Sequence, residues 1–254
     1  MTRTTVPVPG DGAGAGPGVI SGPPQPVDIW WWLTAESAHP SDAALLSDAE
    51  RATAARLPAD RGPGFTACRA AARRVLGRIL DVPPGLVEFG RRPCPECADT
   101  GHGPPYVRHP GNDLWISISH TRGCGLLAVA THRIGVDVEH LRPAWSAALA
   151  AKALTPAENA HVGAIPDPVA RDRAFLRCWT RKEAALKAVG VGIVADLSAV
   201  ETRPADPGPV RVRTTVPGVP TSWQTSDLAL PAPYVGALAH ASAATGARLH
   251  AYGR

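Results

Sequence analysis

The chain has 254 residues, of which 44% are hydrophobic and 19% are charged, and its formal net charge is +4. These proportions are typical of a soluble globular protein, and no apolar run approaches the roughly 20 residues of a membrane-spanning helix. The N-terminus lacks the apolar block of a signal peptide, and five irregularly spaced cysteines argue against a secreted disulfide framework. We therefore expect a cytoplasmic protein, whose basic excess fits an anionic ligand, an acidic protein partner or nucleic acid.

The N-terminal third of the chain begins with a segment that is poor in core-forming side chains. Residues 1–26 hold six Gly and six Pro, so burial cannot offset the entropy lost on ordering, and we predict a disordered tail. The aromatic and β-branched run Val27–Leu33 predicts the first strand. The capping-box pattern Ser47-Asp48-Ala49-Glu50 predicts a helix to about residue 57, and apolar side chains at helical spacing predict another over residues 65–80.

In the middle and C-terminal parts of the chain, the predicted strands and helices do not alternate regularly. Residues 91–113 are rich in Pro, Gly and polar side chains and predict a long loop. Residues 114–120 and 126–130 predict a hairpin, and residues 134–139 predict another strand. Thr155-Pro156-Ala157-Glu158 marks a helix start, and a longer helix is expected over residues 168–189, ended by Gly190. Strands punctuated by Pro and Gly are expected over residues 197–240.

This order of elements is typical of an α+β fold rather than of a regularly alternating α/β fold. We predict two similar-sized halves that meet near residues 130–133. The first half covers residues 27–131 and the second covers residues 132–254.

Two short acidic motifs lie on a predicted strand and a predicted helix. Asp137 and Glu139 are two residues apart and share a strand face, whereas Glu183 and Lys187 share a helix face. Taken singly, each pair has an ordinary explanation as a solvated strand face or a helix-stabilising ion pair. If the strand and the helix meet, the three carboxylates form an all-oxygen cluster that suits Mg²⁺ and substrate phosphates. Lys182 and Lys187 would then neutralise further phosphate charge.

Four features stand in a fixed order along the chain: Phe65-Thr66-Ala67-Cys68-Arg69, Ile118-Ser119-His120-Thr121, Gly135-Val136-Asp137-Val138-Glu139, and Trp179-Thr180-Arg181-Lys182-Glu183-Ala184-Ala185-Leu186-Lys187. Together they resemble the Sfp-type 4′-phosphopantetheinyl transferases over most of residues 28–240. The resemblance implies a fold of two α+β halves related by a pseudo-two-fold axis, with coenzyme A bound in the cleft between them. It also implies transfer of the 4′-phosphopantetheine arm of coenzyme A to a serine of an acyl or peptidyl carrier protein, with release of 3′,5′-ADP.

The resemblance assigns roles to individual residues. Asp137, Glu139 and Glu183 are similar to the residues that hold Mg²⁺ on the coenzyme A pyrophosphate, and Glu183 is also similar to the general base. Lys187 is similar to the lysine that contacts the phosphate and assists the leaving group. The resemblance further implies coenzyme A contacts by Arg69, His120, Ser119, Lys182, Arg56 and Gly103, the first two at the 3′-phosphate.

The chain departs from the family pattern in the loop before the Ser-His strand. Where the family often has Gly-Lys-Pro, this chain has His102-Gly103-Pro104-Pro105, so the lysine is absent. The same loop carries Cys94 and Cys97 at Cys-x-x-Cys spacing, close to His102. One such pair without a second is weak support for zinc, and we expect an ordinary loop.

The resemblance implies coenzyme A and an acidic carrier protein as partners, without nucleic acid or membrane, and a two-half fold can close its site as a monomer. The pathway stays open among fatty acid, polyketide and non-ribosomal peptide synthesis. Two alternatives also stay open. One is a basic nucleic-acid binder, which would show salt-sensitive affinity. The other is a different Mg²⁺-dependent coenzyme A or nucleotide hydrolase, which would release 3′,5′-ADP without a carrier.

Overall fold

The computed structural model describes residues 26–34, 39–191, 196–216, 218–241 and 246–253. The predicted disordered tail, residues 1–26, lies outside these ranges except for Pro26. The described strands are β1 (Val27–Leu33), β2 (Glu88–Arg91), β3 (Pro105–His109), β4 (Trp115–Thr121), β5 (Cys124–Ala130), β6 (Ile134–His140), β7 (Val210–Arg213), β8 (Ser222–Asp227), β9 (Tyr234–Ala241) and β10 (Ala247–Ala251). The described α-helices are α1 (Pro40–Ala43), α2 (Asp48–Arg56), α3 (Gly62–Leu80), α4 (Ala147–Ala153), α5 (Pro156–Gly163) and α6 (Pro168–Val189).

The strands form three sheets, with strand orders β10-β1-β5-β4, β2-β3 and β6-β9-β8-β7. Neighbouring strands are antiparallel, apart from the parallel pair β1 and β10. This mixture of helices and mainly antiparallel sheets confirms the predicted α+β class. The strand β10 comes from the second predicted half and completes the first sheet, while the division into two halves and their pseudo-two-fold relation stay predictions.

The two four-stranded sheets lie between helices α3 and α6. Alternate residues of β1 and β5 pack against α3 on one face of the first sheet. Their other face packs against Ile134, Val136 and Val138 of β6. Small side chains of α6 cover the opposite face of the second sheet, where Trp223 of β8 is fully buried. No described helix has the length and apolar character to cross a membrane.

Local signals place the helix ends where the sequence predicts them. Ser47 caps α2 in a capping box with Glu50, and Thr155 caps α5 in the same way with Glu158. The helix α6 spans the expected residues and ends at Gly190, whose φ of 93° is in the left-handed region that favours glycine. The prediction of a long loop over residues 91–113 is wrong in part, because Pro105–His109 pairs with β2 despite its leading proline.

The strand β6 lies directly against α6. A Cβ atom on Gly135 would lie 2.0 Å from the carbonyl oxygen of Ala184, so only glycine permits this approach. Because side chains alternate along a strand, Asp137 and Glu139 share the face of Gly135 and point towards the helix. The glycine of the motif therefore brings its two acids to the helix that carries Glu183.

Hydroxyl groups join the edges of the two larger sheets, where β4 and β6 run side by side. Three hydroxyls of β4 accept hydrogen bonds from alternate backbone amides of β6: Ser117 from Val136 at 3.0 Å, Ser119 from Val138 at 3.4 Å and Thr121 from His140 at 3.2 Å. These bonds satisfy amide groups that would otherwise be unpaired on an edge strand. They also bring the end of β4, with Ser119 and His120, next to the acidic strand.

Candidate active site

Strands β4 and β6 and helix α6 bring three polar side chains into one hydrogen-bonded group. The ammonium Nζ of Lys187 lies 2.6 Å from Oδ1 of Asp137 and 3.1 Å from Oγ of Ser119. The Ser119 hydroxyl donates to the same Asp137 oxygen at 2.8 Å. Asp137 is 5% exposed, so this charge pair is largely removed from water. Residues from three separate elements are therefore held at one point.

Two carboxylate oxygens beside this group have no hydrogen-bond partner among the described residues. They are Oδ2 of Asp137 and Oε1 of Glu183, and both are buried. A buried carboxylate oxygen without a partner costs free energy, and a cation is the ligand that offsets this cost best. The two oxygens therefore mark a place where the chain alone leaves negative charge uncompensated.

The pKa values of two acids reflect this uncompensated charge. Burial and the charges of Asp137 and Glu139 together raise the pKa of Glu183 to about 7, against the opposing effect of Lys187. Burial and the charge of Asp137 likewise raise the pKa of Glu139, against the opposing effect of Arg142. Both groups are therefore poised to accept either a proton or a cation.

Glu139 is less closely associated with the group than the other two acids. Its Oε2 lies 3.0 Å from Nη1 of Arg142, and its side chain is 22% exposed. Across the described ranges, one set of three metal-ligating side chains has ligand atoms within 4.8 Å of one another, and it is not the acidic set. The three carboxylates would therefore need to move closer together to hold one cation.

A basic and aromatic group lies beyond the end of β4. The rings of Phe65 and His120 meet edge to face, with centroids 6.0 Å apart. The guanidinium of Arg69 lies 5.4 Å from the centre of the Phe65 ring and 3.6 Å from a carboxylate oxygen of Glu50. Burial, followed by the charges of Arg69 and Lys187, lowers the pKa of His120. His120 is itself exposed at the rim of this group.

Comparisons with known proteins show the family to which the chain is similar. Residues 133–239 match the family model described as the 4′-phosphopantetheinyl transferase superfamily. The chain is 36% identical to the 4′-phosphopantetheinyl transferase HetI of Nostoc sp. over 178 residues, which cover 68% of this chain and 70% of HetI. This chain belongs to the 4′-phosphopantetheinyl transferase superfamily. It is also 33% identical over 183 residues to slr0495 of Synechocystis sp., a putative 4′-phosphopantetheinyl transferase, with 70% of each chain covered.

Membership of the phosphopantetheinyl transferase superfamily confirms the family predicted from the four sequence features. The matched segment includes β6 and α6, and so it contains both acidic motifs. The structure brings Asp137, Glu183 and Lys187 together with Ser119, and Glu139 and His120 lie at the edges of the group, while the roles of these residues stay predictions. Arg69 reaches the His120 side of the group through Phe65.

Lys182 does not lie in this group, which contradicts the prediction that it contacts coenzyme A. It is fully buried, and its ammonium contacts Glu158 Oε2 at 2.5 Å, Ala153 O at 2.6 Å and Leu197 O at 2.9 Å. These three contacts use the three ammonium hydrogens. Lys182 lies on a different face of α6 from Glu183, and it anchors the helix to α4 and α5.

Two other residues that are predicted to contact coenzyme A lie outside the central group. Arg56 is exposed in the last turn of α2, and Gly103 is buried with its carbonyl accepting from Arg91 at 2.9 Å. A Cβ atom on Gly103 would lie 1.8 Å from the carbonyl oxygen of Arg92, so the backbone itself requires glycine there. Arg91 brings a guanidinium to the loop from which the family's lysine is absent. Burial lowers the pKa of Arg69, and the charge of Arg91 lowers it further.

Sequence reasoning missed the residue that positions Arg69. Glu50 was explained by its capping-box role, which it does perform by accepting from the backbone amide of Ser47 at 2.9 Å. Its carboxylate also forms an ion pair with Arg73 at 2.7 Å and faces Arg69 at 3.6 Å. The spacing of arginines four residues apart on α3 is the signal that could have pointed to a shared acidic partner.

The raised pKa of Glu183 predicts a stability cost in the metal-free protein. Below pH 4.5 the carboxyl is protonated in both folded and unfolded chains, so it costs nothing. As the pH rises to about 7 the unfolded chain loses the proton first, and stability falls. Above that pH the penalty is about 3 kcal/mol. Glu183→Gln should therefore raise the free energy of unfolding at pH 8, in chelator, by up to about 3 kcal/mol.

Urea unfolding at pH 8 and pH 5 tests this prediction. The gain from Glu183→Gln should be much smaller at pH 5, where the folded parent also keeps the proton. Glu88→Gln, at an exposed glutamate on β2, serves as the control and should change stability little at either pH. An equal gain at the two pH values would show that the buried charge of Glu183 is not the cause.

Proposed function

We propose that this chain transfers the 4′-phosphopantetheine arm of coenzyme A to a serine of an acyl or peptidyl carrier protein, in a Mg²⁺-dependent reaction that gives holo carrier and 3′,5′-ADP. The observation that carries the proposal is the pair of buried, unpartnered oxygens on Asp137 and Glu183, next to the ammonium of Lys187. In a chain of this superfamily, such a site suits a cation that faces a pyrophosphate.

The donor set fits Mg²⁺ rather than a softer metal. Asp137, Glu183 and Glu139 offer carboxylate oxygens only, which are the ligands that Mg²⁺ prefers. When bound, Mg²⁺ supplies charge neutralisation on the pyrophosphate oxygens. Two of the three acids already lie at the group, and the pKa of the third is raised, so it gains from a nearby cation.

The chain's own residues account for the proton and the leaving group. The carrier serine oxygen forms a bond to the pantetheine-side phosphorus, and the bond from that phosphorus to the oxygen of the adenosine phosphate breaks. Glu183 accepts the serine proton. Lys187 compensates the negative charge that grows on the departing phosphate.

The basic and aromatic group suits the nucleotide end of coenzyme A. Arg69 can give bidentate hydrogen bonds to a phosphate. His120 can donate an N–H to the same phosphate, and Phe65 holds both side chains in place through ring contacts. We propose that these residues bind the 3′-phosphate, with Ser119, Gly103 and Arg56 as further contacts along the cofactor.

Arg69→Ala should raise the KM for coenzyme A by about ten- to a hundredfold, since a hydrogen bond to a charged group contributes about 1.5–3 kcal/mol. The turnover number should change much less. Initial rates are measured with coenzyme A and with dephospho-coenzyme A, which lacks the 3′-phosphate. Arg78→Ala, on the exposed face of the same helix, is the control. An equal loss with both cofactors would contradict a 3′-phosphate contact by Arg69.

A carrier assay tests the proposed reaction. Several apo acyl and peptidyl carrier proteins are each incubated with the chain, coenzyme A and Mg²⁺, and their intact masses are measured together with released 3′,5′-ADP. We expect one carrier or more to gain the phosphopantetheine mass with an equal amount of 3′,5′-ADP. Release of 3′,5′-ADP without any carrier would instead favour a hydrolase.

The setting of the reaction follows from the same proposal. Carrier domains are typically acidic, and the net charge of +4 on this chain favours their approach. We propose that the chain acts in the cytoplasm as a monomer.

A further inference from the structure

The loop between β2 and β3 gathers a second group of metal-ligating side chains. Cys94, Cys97 and His102 each place one ligand atom within 4.8 Å of the other two. The Cys97 sulfur lies 3.1 Å from Nε2 of His102. Two thiols and an imidazole form a soft donor set, unlike the carboxylates of the active site, and zinc is the metal that such ligands most often bind.

The backbone of the loop turns sharply so that the two cysteines face the same point. The amide of Ala98 donates to the carbonyl of Cys94 at 2.8 Å, and the amide of Cys94 donates to the carbonyl of Asp99 at 2.8 Å. Ala98 adopts a φ of 61°, in the left-handed region, which costs a non-glycine residue about 1–2 kcal/mol. The backbone hydrogen bonds of the turn therefore help to offset the unfavourable backbone conformation of Ala98.

Ordinary packing explains Cys94 but leaves the other two members unexplained. Cys94 is buried beside residues of α6 and the second large sheet, as a small apolar side chain can be. Cys97 is exposed, so apolar burial does not account for a cysteine there. His102 directs Nε2 at the Cys97 thiol, while its Nδ1 is buried without a hydrogen-bond partner within the described part of the chain.

We infer that Cys94, Cys97 and His102 bind one zinc ion. Oδ2 of Asp99 lies 3.8 Å from Nε2 of His102, but it is outside the set of atoms that all lie within 4.8 Å of one another, so Asp99 would become the fourth ligand only if its side chain moved. On binding, the two thiols lose their protons and their sulfurs coordinate the metal as thiolates. The three ligands come from one stretch of nine residues, so the site needs no ligand from another part of the fold.

The zinc ion would fix a loop that leads to the proposed cofactor site. Gly103 follows the last ligand directly and is held by Arg91, and Pro104 packs against Gly190 at the end of α6. A metal in the loop would therefore connect β2 and the end of the catalytic helix through a short, rigid segment. This role is structural, and the inference does not depend on the reaction that the chain catalyses.

Metal analysis of the full-length chain tests the inference. The protein is purified with a reductant, incubated with excess Zn²⁺ and desalted. Its zinc content is then measured by elemental mass spectrometry. We expect about one zinc per chain. Replacing Zn²⁺ with Co²⁺ should give the absorption band of cobalt bound to thiolate. Cys97→Ser and His102→Ala should lose most of the metal, whereas His161→Ala, at an exposed histidine on α5, should retain it.

The same measurements can overturn the inference. A reduced parent chain that retains less than about a tenth of an equivalent of zinc would do so, as would zinc retained equally by all variants, which would place the metal elsewhere. Absence of the thiolate band with Co²⁺ would also count against it. Because Cys97 is exposed, its replacement should leave the fold intact, and circular dichroism checks this. The parent measurement decides the matter even if His102→Ala unfolds.

Discussion

Glu183→Gln is expected to lower the rate of carrier modification about a thousandfold while the protein stays folded. Glutamine has nearly the same shape, but it cannot accept the serine proton and it is a weaker ligand for a divalent cation. Removing a buried negative charge should not destabilise the fold, since Oε1 of Glu183 has no hydrogen-bond partner in the described structure. The turnover number is measured with saturating coenzyme A and carrier, and folding is checked by thermal unfolding.

Two further variants show whether the effect belongs to the site. Asp137→Asn should cause a similar loss of turnover, because it removes the carboxylate that contacts Lys187 at 2.6 Å. Glu88→Gln, on the exposed part of β2, should retain the parent rate. If Glu183→Gln or Asp137→Asn keeps a rate near that of the parent, the proposed metal and base roles are wrong.

Lys182→Ala is expected to lower the free energy of unfolding by about 3–5 kcal/mol, the cost of removing one partner of a buried ion pair. Lys182 and Glu158 are both fully buried, and their side chains lie 2.5 Å apart. The Glu158 carboxylate also accepts hydrogen bonds from Thr202 and Thr155, so it cannot move out to water when the lysine is removed. Urea unfolding of parent and variant measures the loss.

Controls separate a structural role of Lys182 from cofactor binding. Lys152→Ala, at an exposed lysine on α4, should cost little stability. The double variant Lys182→Met with Glu158→Gln should recover part of the loss, because it leaves no uncompensated charge. Below the unfolding transition, Lys182→Ala should keep the parent KM for coenzyme A. A stable variant with a much higher KM would restore the original prediction of a cofactor contact.

The helix ends and the acidic strand could be predicted because their signals are local. The caps at Ser47 and Thr155 and the end of α6 at Gly190 depend on residues within one turn of each other. The alternation along β6 likewise assigns Asp137 and Glu139 to one face before any partner is known. The same local information places Glu183 and Lys187 on one face of α6.

The parts that could not be predicted depend on which surfaces meet. Lys182 and Glu183 are neighbours in sequence, yet one is enclosed by α4 and α5 and the other faces β6. Sequence alone does not say which side of the helix each element covers. The hydroxyls of Ser117 and Ser119 bond to β6 only because two sheet edges adjoin. The pairing of β1 with β10 joins segments about 220 residues apart and carries no local signal.

The cysteine loop is a further feature that the sequence alone could not predict. One Cys-x-x-Cys pair is too common a pattern to predict zinc, and the sequence favoured an ordinary loop. The third ligand, His102, becomes persuasive only when its distance from the Cys97 sulfur is known. The Cys-x-x-Cys spacing is compatible with a metal site, and the turn at Ala98 brings the ligand atoms close together.

The most direct test of the account measures whether carrier modification needs the cation that Asp137 and Glu183 are proposed to hold. The chain is freed of divalent metal, mixed with an accepted apo carrier and coenzyme A, and sampled for intact carrier mass before and after Mg²⁺ is added. We expect no mass gain before the addition and rapid gain of the phosphopantetheine mass after it, in the parent but not in Glu183→Gln. Equal modification with and without Mg²⁺, or by parent and variant alike, would contradict the account.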